Sequence, residues 1–291
     1  MYKIVVTAWL LAVVGCSAPQ ESASAPEDDL LARGTYLMQG IVACGNCHTP
    51  KSPDGQPIES MELAGSFVIE DPGFTAYAAN ITPDPETGIG NWSDSEIIRA
   101  IREGIRPDGT VIGMPMPFGW YRDISDRDVA AIVAYLRSVP PVRNVVPKSE
   151  YRVPLPPNWG SPVTSVPDVS RDDQLAYGKY LANALGHCTE CHTPMVDGKY
   201  DFSRIGLGGR AFPNIFGLGY TVISANITPH PTLGLGAWSD DEIKRAITMG
   251  ISRDGRRLLP SMAFSYYAHI DDEDLDALIV YLRSLKPLPA D

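Results

Sequence analysis

The chain has 291 residues, of which 44% are hydrophobic and 20% charged, and its formal net charge is −11. This length suits two domains of ordinary size, and the composition excludes a disordered chain. The negative charge argues against nucleic acid as a partner, because the phosphate backbone attracts basic proteins, and it favours a protein partner with a basic docking patch.

The first element along the chain is an apolar segment at residues 4–14, IVVTAWLLAVV, which follows Lys3. Eleven residues are too few to span a bilayer, but they match the core of an export signal. The segment ends in VVGC, which resembles the lipobox of bacterial lipoproteins and predicts a lipidated Cys16. We therefore predict a signal peptide at 1–15 and a flexible tether at 16–27. A plain signal peptide with an unrelated cysteine is the alternative.

The rest of the chain is an internal repeat. CHTP at 47–50 returns at 191–194, ANITP at 79–83 returns at 225–229, and YLRS at 135–138 returns at 281–284. An offset of this size predicts duplicated domains rather than a solenoid, and we name them lobe 1 (28–140) and lobe 2 (171–287). Eight prolines within residues 140–170 predict an extended linker at 141–170 that lies across one or both lobes.

Each lobe repeats the same order of helical signals. A first helix precedes the cysteine motif, and the middle and last helices begin at capping residues, which are Ser93 and Ser125 in lobe 1 and Ser239 and Asp271 in lobe 2. Gly34 and Gly178 would let the first helix approach the last closely, and Tyr36 and Tyr180 are expected to pack at this crossing. Long Gly- and Pro-rich loops with few strand patterns complete an all-α prediction. So few helices make a thin core, which needs a large apolar group at its centre.

Four of the five cysteines form two Cys-x-x-Cys-His motifs, made of Cys44, Cys47 and His48 in lobe 1 and Cys188, Cys191 and His192 in lobe 2. This spacing is the attachment signature of c-type haem, with the histidine as iron ligand, so two covalent haem c groups are predicted. A thioredoxin-like pair would follow a strand and open a helix, whereas helical sequence precedes these motifs. A zinc site built from two cysteine pairs would not require a histidine after each pair.

The sixth iron ligand decides what such a site does. The repeat pairs Met116 with Met262, each seven residues after its Asp-Gly, and this pairing selects Met116 over Met114. Methionine at this position gives an electron-transfer site with a raised potential, although packing is the alternative role for both residues. His187 adjoins the second motif, and we expect it, like His230 and His269, to be solvent-exposed.

These motifs, together with MPMPF, PSMAF and the closing YLRS helix, make each lobe resemble a class I cytochrome c domain. The segment NITPDPETGIGNWSD, followed by RAIREG, is similar to cytochrome c subunits of bacterial membrane-bound alcohol, aldehyde and gluconate dehydrogenases. Those subunits carry three haem motifs and this chain carries two. The resemblance implies two tandem class I cytochrome c domains in a dihaem electron carrier.

The expected function is therefore electron transfer in a respiratory chain, from a periplasmic or membrane-bound dehydrogenase to a terminal oxidase or another cytochrome. With Cys16 lipidated, the chain would be anchored on the periplasmic side of a bacterial membrane. No catalytic residue is predicted. The alternative is a dihaem enzyme such as a cytochrome c peroxidase or a thiosulfate dehydrogenase, which needs an exchangeable or unusual sixth ligand on one haem.

Overall fold

The computed structural model describes residues 1, 27–53 and 55–289. The predicted signal peptide after Met1, Cys16 and the tether up to residue 26 lie outside the described residues. Among the residues described, no helix combines the length and the apolar composition that crossing a bilayer requires.

Each lobe contains five helices in matching order within the described residues. Lobe 1 has α1 (Glu27–Gln39), α2 (Gly45–His48), α3 (Asp94–Glu103), α4 (Phe118–Tyr121) and α5 (Asp126–Ser138). Lobe 2 has α6 (Gln174–Tyr180), α7 (Cys188–Cys191), α8 (Asp240–Met249), α9 (Phe264–Tyr267) and α10 (Asp272–Ser284). A π-helical turn at Leu181–Leu185 extends α6 towards the second cysteine motif.

The predicted capping boxes are confirmed at the starts of α3 and α8. The hydroxyls of Ser93 and Ser239 accept from the third backbone N–H of each helix, and the glutamate three residues later accepts from the serine N–H. Both helices end at a left-handed glycine, Gly104 with φ 64° and Gly250 with φ 63°. Only glycine adopts this conformation without a steric penalty, so these residues define where each helix stops.

The all-α expectation is wrong for the loops, which form three small antiparallel sheets. In lobe 1, β1 (Ser66–Asp71) pairs with β2 (Phe74–Ala78), and β2 pairs with β3 (Glu150–Tyr151). Lobe 2 has the pairs β4 (Met195–Val196) with β5 (Lys199–Tyr200) and β6 (Ala211–Pro213) with β7 (Thr221–Ile223). These strands are short. β1 with β2, β4 with β5 and β6 with β7 are local pairs in loops whose sequences carry few strand patterns, whereas β3 comes from a distant segment.

Residues 141–170 follow the surface of lobe 1. Asn144 donates from Nδ2 to the carbonyl of Ala64 at 2.8 Å, and β3 adds an edge strand to the sheet. Further along, Trp159 donates from Nε1 to the carbonyl of Ile112 at 2.7 Å and stacks on Phe118. This segment therefore buttresses the loop that carries Met116.

The first and last helices of each lobe cross at van der Waals distance. A Cβ on Gly34 would lie 2.0 Å from the carbonyl oxygen of Ala131, and one on Gly178 would lie 1.8 Å from that of Ala277. The close approach predicted at both glycines is confirmed. The buried side chains of both crossings belong to one continuous apolar core that extends through the two lobes.

Two reciprocal hydrogen bonds join the lobes. Tyr36 of lobe 1 donates to Asp274 Oδ2 of lobe 2 at 2.7 Å, and Tyr180 of lobe 2 donates to Asp128 Oδ2 of lobe 1 at 2.8 Å. Tyr36 is equivalent to Tyr180 in the repeat, and Asp128 is equivalent to Asp274, so each lobe contributes the same donor and the same acceptor. The lobes therefore meet like the subunits of an isologous dimer. Tyr36 and Tyr180 thus direct their hydroxyls to the other lobe, a role that the predicted packing at the helix crossing did not include.

Candidate haem sites

The two Cys-x-x-Cys-His motifs have the same local geometry in both lobes. The Nδ1 atom of His48 lies 2.7 Å from the carbonyl oxygen of Ala79, and that of His192 lies 2.6 Å from the carbonyl oxygen of Ala225. A carbonyl only accepts, so Nδ1 carries the proton and Nε2 keeps its lone pair for a metal. Burial lowers the pKa of both imidazoles, which favours the neutral form that ligates iron.

The Asn-Ile-Thr segments place those two alanine carbonyls. Asn80 Nδ2 donates to the carbonyl of Val142 at 2.7 Å, and Asn226 Nδ2 donates to that of Leu288 at 2.8 Å. Each asparagine therefore ties the segment that follows β2 or β7, which carries the alanine, to the segment after the last helix of its lobe. The repeated NIT sequence thus fixes the orientation of the histidine, a role that the sequence did not disclose.

The threonine after each histidine is buried and holds the turn in place. The Thr49 hydroxyl accepts from the N–H of Leu63 at 3.0 Å, and the Thr193 hydroxyl accepts from that of Gly206 at 3.4 Å. The histidine carbonyls also accept backbone hydrogen bonds, from Gly65 in lobe 1 and Gly208 in lobe 2. These contacts account for the repeated HTP sequence as a support for the histidine.

All four motif cysteines are free thiols. Burial raises the pKa of Cys44 to about 12 and the pKa values of Cys47 and Cys188 to about 11. Burial and the nearby Glu190 raise that of Cys191 as well. Redox-active cysteine pairs need a lowered pKa, so the thioredoxin-like alternative is disfavoured. The described part of the chain brings no three or more His, Cys, Asp or Glu side chains together as a metal site.

Met116 and Met262 occupy equivalent positions just before α4 and α9. Both side chains pack against the shared core while staying partly exposed. Their carbonyls accept from the N–H groups of Phe118 at 3.0 Å and Phe264 at 2.9 Å, so the two loops have the same turn. Met114 is held differently, because its carbonyl accepts from Tyr151 at 3.0 Å. The structure thus keeps the repeat pairing, while axial ligation by these methionines stays a prediction.

The two cysteine motifs face each other across the lobe interface. Trp120 of lobe 1 donates from Nε1 to the hydroxyl of Thr189, between the cysteines of lobe 2, at 2.9 Å. In the reverse direction, the Tyr266 hydroxyl lies 2.0 Å from the position that a Cβ on Gly45 would occupy. Each motif is therefore covered by the other lobe, and any larger residue at position 45 would displace the Tyr266 hydroxyl.

Tyr121 and Tyr267 are buried between the motifs. Burial raises the pKa of Tyr121 above its usual range, and the nearby Cys44 and Cys47 raise it further. Burial also raises the pKa of Tyr267, and Cys188 is the next largest cause of that increase. The sequence signal for this pair was its recurrence in FGWY and FSYY, which the repeat comparison passed over. Buried thiols beside a histidine with a free Nε2, at the edge of an apolar core, fit a covalently bound haem in each lobe.

His187 differs from its expected exposure. Its imidazole packs edge-on against Tyr121 with ring centroids 5.6 Å apart, and its Nδ1 lies 3.7 Å from Glu190 Oε2. His269 is exposed as expected, and His230 accepts backbone hydrogen bonds within its own loop. None of these three histidines has a counterpart in the other lobe, so none matches the repeated pattern of the predicted iron ligands.

Comparisons with known proteins assign each lobe separately. The family model described as cytochrome c matches residues 175–286, and the model described as cytochrome c oxidase, cbb3-type, subunit III matches residues 29–136. Together these two matches cover most of both lobes.

Curated relatives align along most of the chain. The cytochrome c subunit of the quinone alcohol dehydrogenase of Gluconobacter oxydans is 33% identical over 96% of this chain and 60% of its own length. The gluconate 2-dehydrogenase cytochrome c subunit of Pantoea cypripedii is 32% identical over 89% of this chain and 60% of its own length. A dihaem cytochrome c-type protein of Cereibacter sphaeroides is 29% identical over 82% and 81%.

The chain spans about 60% of the length of the dehydrogenase subunits that it matches. The family matches and the duplicated Cys-x-x-Cys-His geometry both indicate a cytochrome c domain in each lobe. The chain therefore belongs to the c-type cytochromes, with two cytochrome c domains in tandem and two covalently bound haem c groups.

Proposed function

We propose that this protein transfers electrons between two haem sites and is not itself a catalytic subunit. The observation that carries the proposal is the facing arrangement of the two motifs across Tyr121 and Tyr267 within one core. Bound haem supplies reversible one-electron redox chemistry. The protein holds the two sites in a fixed relation through the reciprocal Tyr36–Asp274 and Tyr180–Asp128 hydrogen bonds, so electrons can pass without any domain movement.

Each residue of the sites has a defined role in this proposal. The cysteines form the thioether bonds, at Cys44 and Cys47 in lobe 1 and at Cys188 and Cys191 in lobe 2. His48 and His192 present Nε2 to the iron, because their Nδ1 atoms are occupied by the alanine carbonyls. Met116 and Met262 complete the coordination and raise the potential, and the buried surroundings disfavour an added charge.

The partners follow from the relatives. Several relatives are named as cytochrome c subunits of alcohol, gluconate and fructose dehydrogenases, so we propose a dehydrogenase as electron donor and a terminal oxidase or another cytochrome as acceptor. We also propose that residues 28–140 and 171–287 are the two domains, joined by 141–170. The net charge of −11 favours partners with basic docking patches.

Replacement of the methionines tests the proposal. Met116→Ala or Met262→Ala should leave both haems attached and lower the potential of the haem in the altered lobe, because the methionine ligand is lost. Met249→Ala is the matched control, since this side chain is 60% exposed on α8. A redox titration with unchanged potentials in both ligand variants would exclude these methionines as ligands.

We propose a lipid anchor at Cys16, on the periplasmic side of a bacterial membrane. The support is the VVGC sequence and the polar tether that follows it. Cys16→Ser should release the protein from the membrane fraction, whereas wild-type protein should resist a high-salt wash. Membrane association of the Cys16→Ser variant in high salt would contradict the anchor without affecting the haem assignment.

A further inference from the structure

The two cysteine motifs differ in the charge placed beside them. In lobe 2 the residue before the second cysteine is Glu190, whose side chain is buried with 9% exposure. Its Oε2 lies 3.1 Å from the sulfur of Cys191, the atom that attaches to the haem edge. On the other carboxylate oxygen, Oε1 accepts from the Tyr200 hydroxyl at 2.8 Å and lies 3.6 Å from Arg210 Nη1.

The Glu190 carboxylate has Arg210 as its counterion. Arg210 directs Nη1 to the backbone carbonyl of Glu190 and stacks over the rings of Tyr200 and Phe212, at 5.2 and 4.9 Å. Arg210 lies 3.6 Å from Oε1, whereas Oε2 is the oxygen next to Cys191. The Tyr200 hydroxyl at 2.8 Å and Arg210 Nη1 at 3.6 Å are the donors that an ionised carboxylate takes as partners.

Lobe 1 carries a cation at the corresponding place. The repeat aligns Glu190 with Asn46 and aligns Met195 with Lys51. Lys51 donates from Nζ to Asn46 Oδ1 at 3.0 Å and lies 4.5 Å above the ring of Phe216, which comes from lobe 2. The ammonium therefore lies beside the residue that precedes Cys47. Lobe 1 thus has a positive charge where lobe 2 has a buried carboxylate.

We propose that this charge pair makes the two haem sites unequal, with the lobe 1 site at the higher reduction potential and the lobe 2 site at the lower one. An added electron is stabilised by the Lys51 ammonium and repelled by the Glu190 carboxylate, and both charges act through a partly desolvated interior where screening is weak. Glu190 and Lys51 are positioning residues, because they act on the iron through the attached edge and do not ligate it.

The difference between the two reduction potentials gives electron transfer a direction. This inference rests on the proposed function. One electron leaves the reduced lobe 2 site, which is oxidised, and reduces the lobe 1 site, with no bond or proton exchanged. A reduced dehydrogenase would therefore deliver electrons to lobe 2, and an oxidised acceptor cytochrome or oxidase would collect them from lobe 1.

Exchange of the aligned residues tests the proposal in the intact holoprotein. Glu190→Asn gives lobe 2 the residue found in lobe 1, and Lys51→Met gives lobe 1 the residue found in lobe 2. In a spectroelectrochemical titration, Glu190→Asn should raise the lower midpoint potential, and Lys51→Met should lower the higher one. We expect each change to shift the oxidised-to-reduced ratio of one haem by about tenfold at fixed applied potential, or ~59 mV for one electron.

Two further variants separate charge from structure. Glu190→Gln keeps the shape of the side chain and removes the charge, so it should reproduce the shift, whereas Glu190→Asp should restore a potential close to wild type. Haem content and the visible spectrum verify that each variant is intact. The lobe is identified by combining each change with Met116→Ala or Met262→Ala, which displaces the wave of its own lobe.

The outcomes are distinct. If two haem waves are present but neither moves in Glu190→Gln, or if Glu190→Asn moves the higher wave, the proposed inequality is wrong while electron transfer stands. If one merged wave accounts for both haems, the inequality is likewise wrong, whereas if either haem is not reversibly reduced and reoxidised, the proposed function itself fails.

Discussion

Removal of the Tyr180 hydroxyl tests how the lobes are held together. In the wild type this hydroxyl donates to Asp128 Oδ2 at 2.8 Å and accepts from the N–H of Ser125 at 3.1 Å, at a buried position. Tyr180→Phe removes both hydrogen bonds and adds no volume. A hydrogen bond to a charged group contributes about 1.5–3 kcal/mol, and an unpartnered buried N–H costs about 1–3 kcal/mol.

Asp128 moderates this loss because it keeps two hydrogen bonds from Arg33, at 2.8 and 2.9 Å. We therefore expect Tyr180→Phe to lower the free energy of unfolding by about 3 kcal/mol. The equivalent Tyr36→Phe also loses a hydrogen bond to a carboxylate, that of Asp274, but it should cost less, about 2 kcal/mol, since Asp271 is exposed and water can replace the partner of its N–H.

The assay is guanidinium unfolding of the holoprotein, followed by far-UV circular dichroism. The structure predicts a clear asymmetry between the two tyrosine variants although they are equivalent in the repeat. Equal losses, or a loss below about 1 kcal/mol for Tyr180→Phe, would refute the reasoning that burial of the Ser125 N–H makes this contact the stronger one.

Two further predictions concern the helix crossing and the segment that follows lobe 1. Gly34→Ala places a Cβ 2.0 Å from the Ala131 carbonyl oxygen and should cost about 1–3 kcal/mol by the same unfolding assay, whereas Gly119→Ala, with nothing within 4 Å, should change stability by less than about 0.5 kcal/mol. Similar effects of the two changes would contradict the close crossing. Burial raises the pKa of Asp126, but hydrogen bonds from Ser165 and Arg102 outweigh it and lower the pKa below its ordinary 3.8. The stabilisation by this carboxylate is therefore present above pH 3.8 and is lost as the pH falls through the lowered value. The stability difference between wild type and Asp126→Asn should shrink below that pH, and a difference that grew on acidification would contradict the sign.

Much of the fold could be predicted because the signals are local and occur twice. The capping serines and the crossing glycines depend on local hydrogen bonding and backbone sterics within one helix or one contact. The cysteine motifs gave the cofactor because their spacing follows from the geometry of haem attachment.

The rest depends on contacts between distant segments. The all-α expectation missed β3, which exists only because residues after lobe 1 return to β2. The facing of the two motifs depends on Trp120 reaching Thr189 and on Tyr180 reaching Asp128, and no pattern within one lobe reports a contact with the other. The motif spacing does not specify the residue before the second cysteine, so the place of the Glu190 carboxylate beside Cys191 comes from the structure.

The central claim is that both sites are closed, methionine-ligated electron-transfer haems. It is tested most directly by near-infrared absorption of the fully oxidised holoprotein, with the methionine–iron charge-transfer band measured against total haem content. The account predicts two haems per chain, each contributing this band and each low-spin. A high-spin haem without the band, in a protein that turns over peroxide, would contradict the account and favour the dihaem peroxidase alternative.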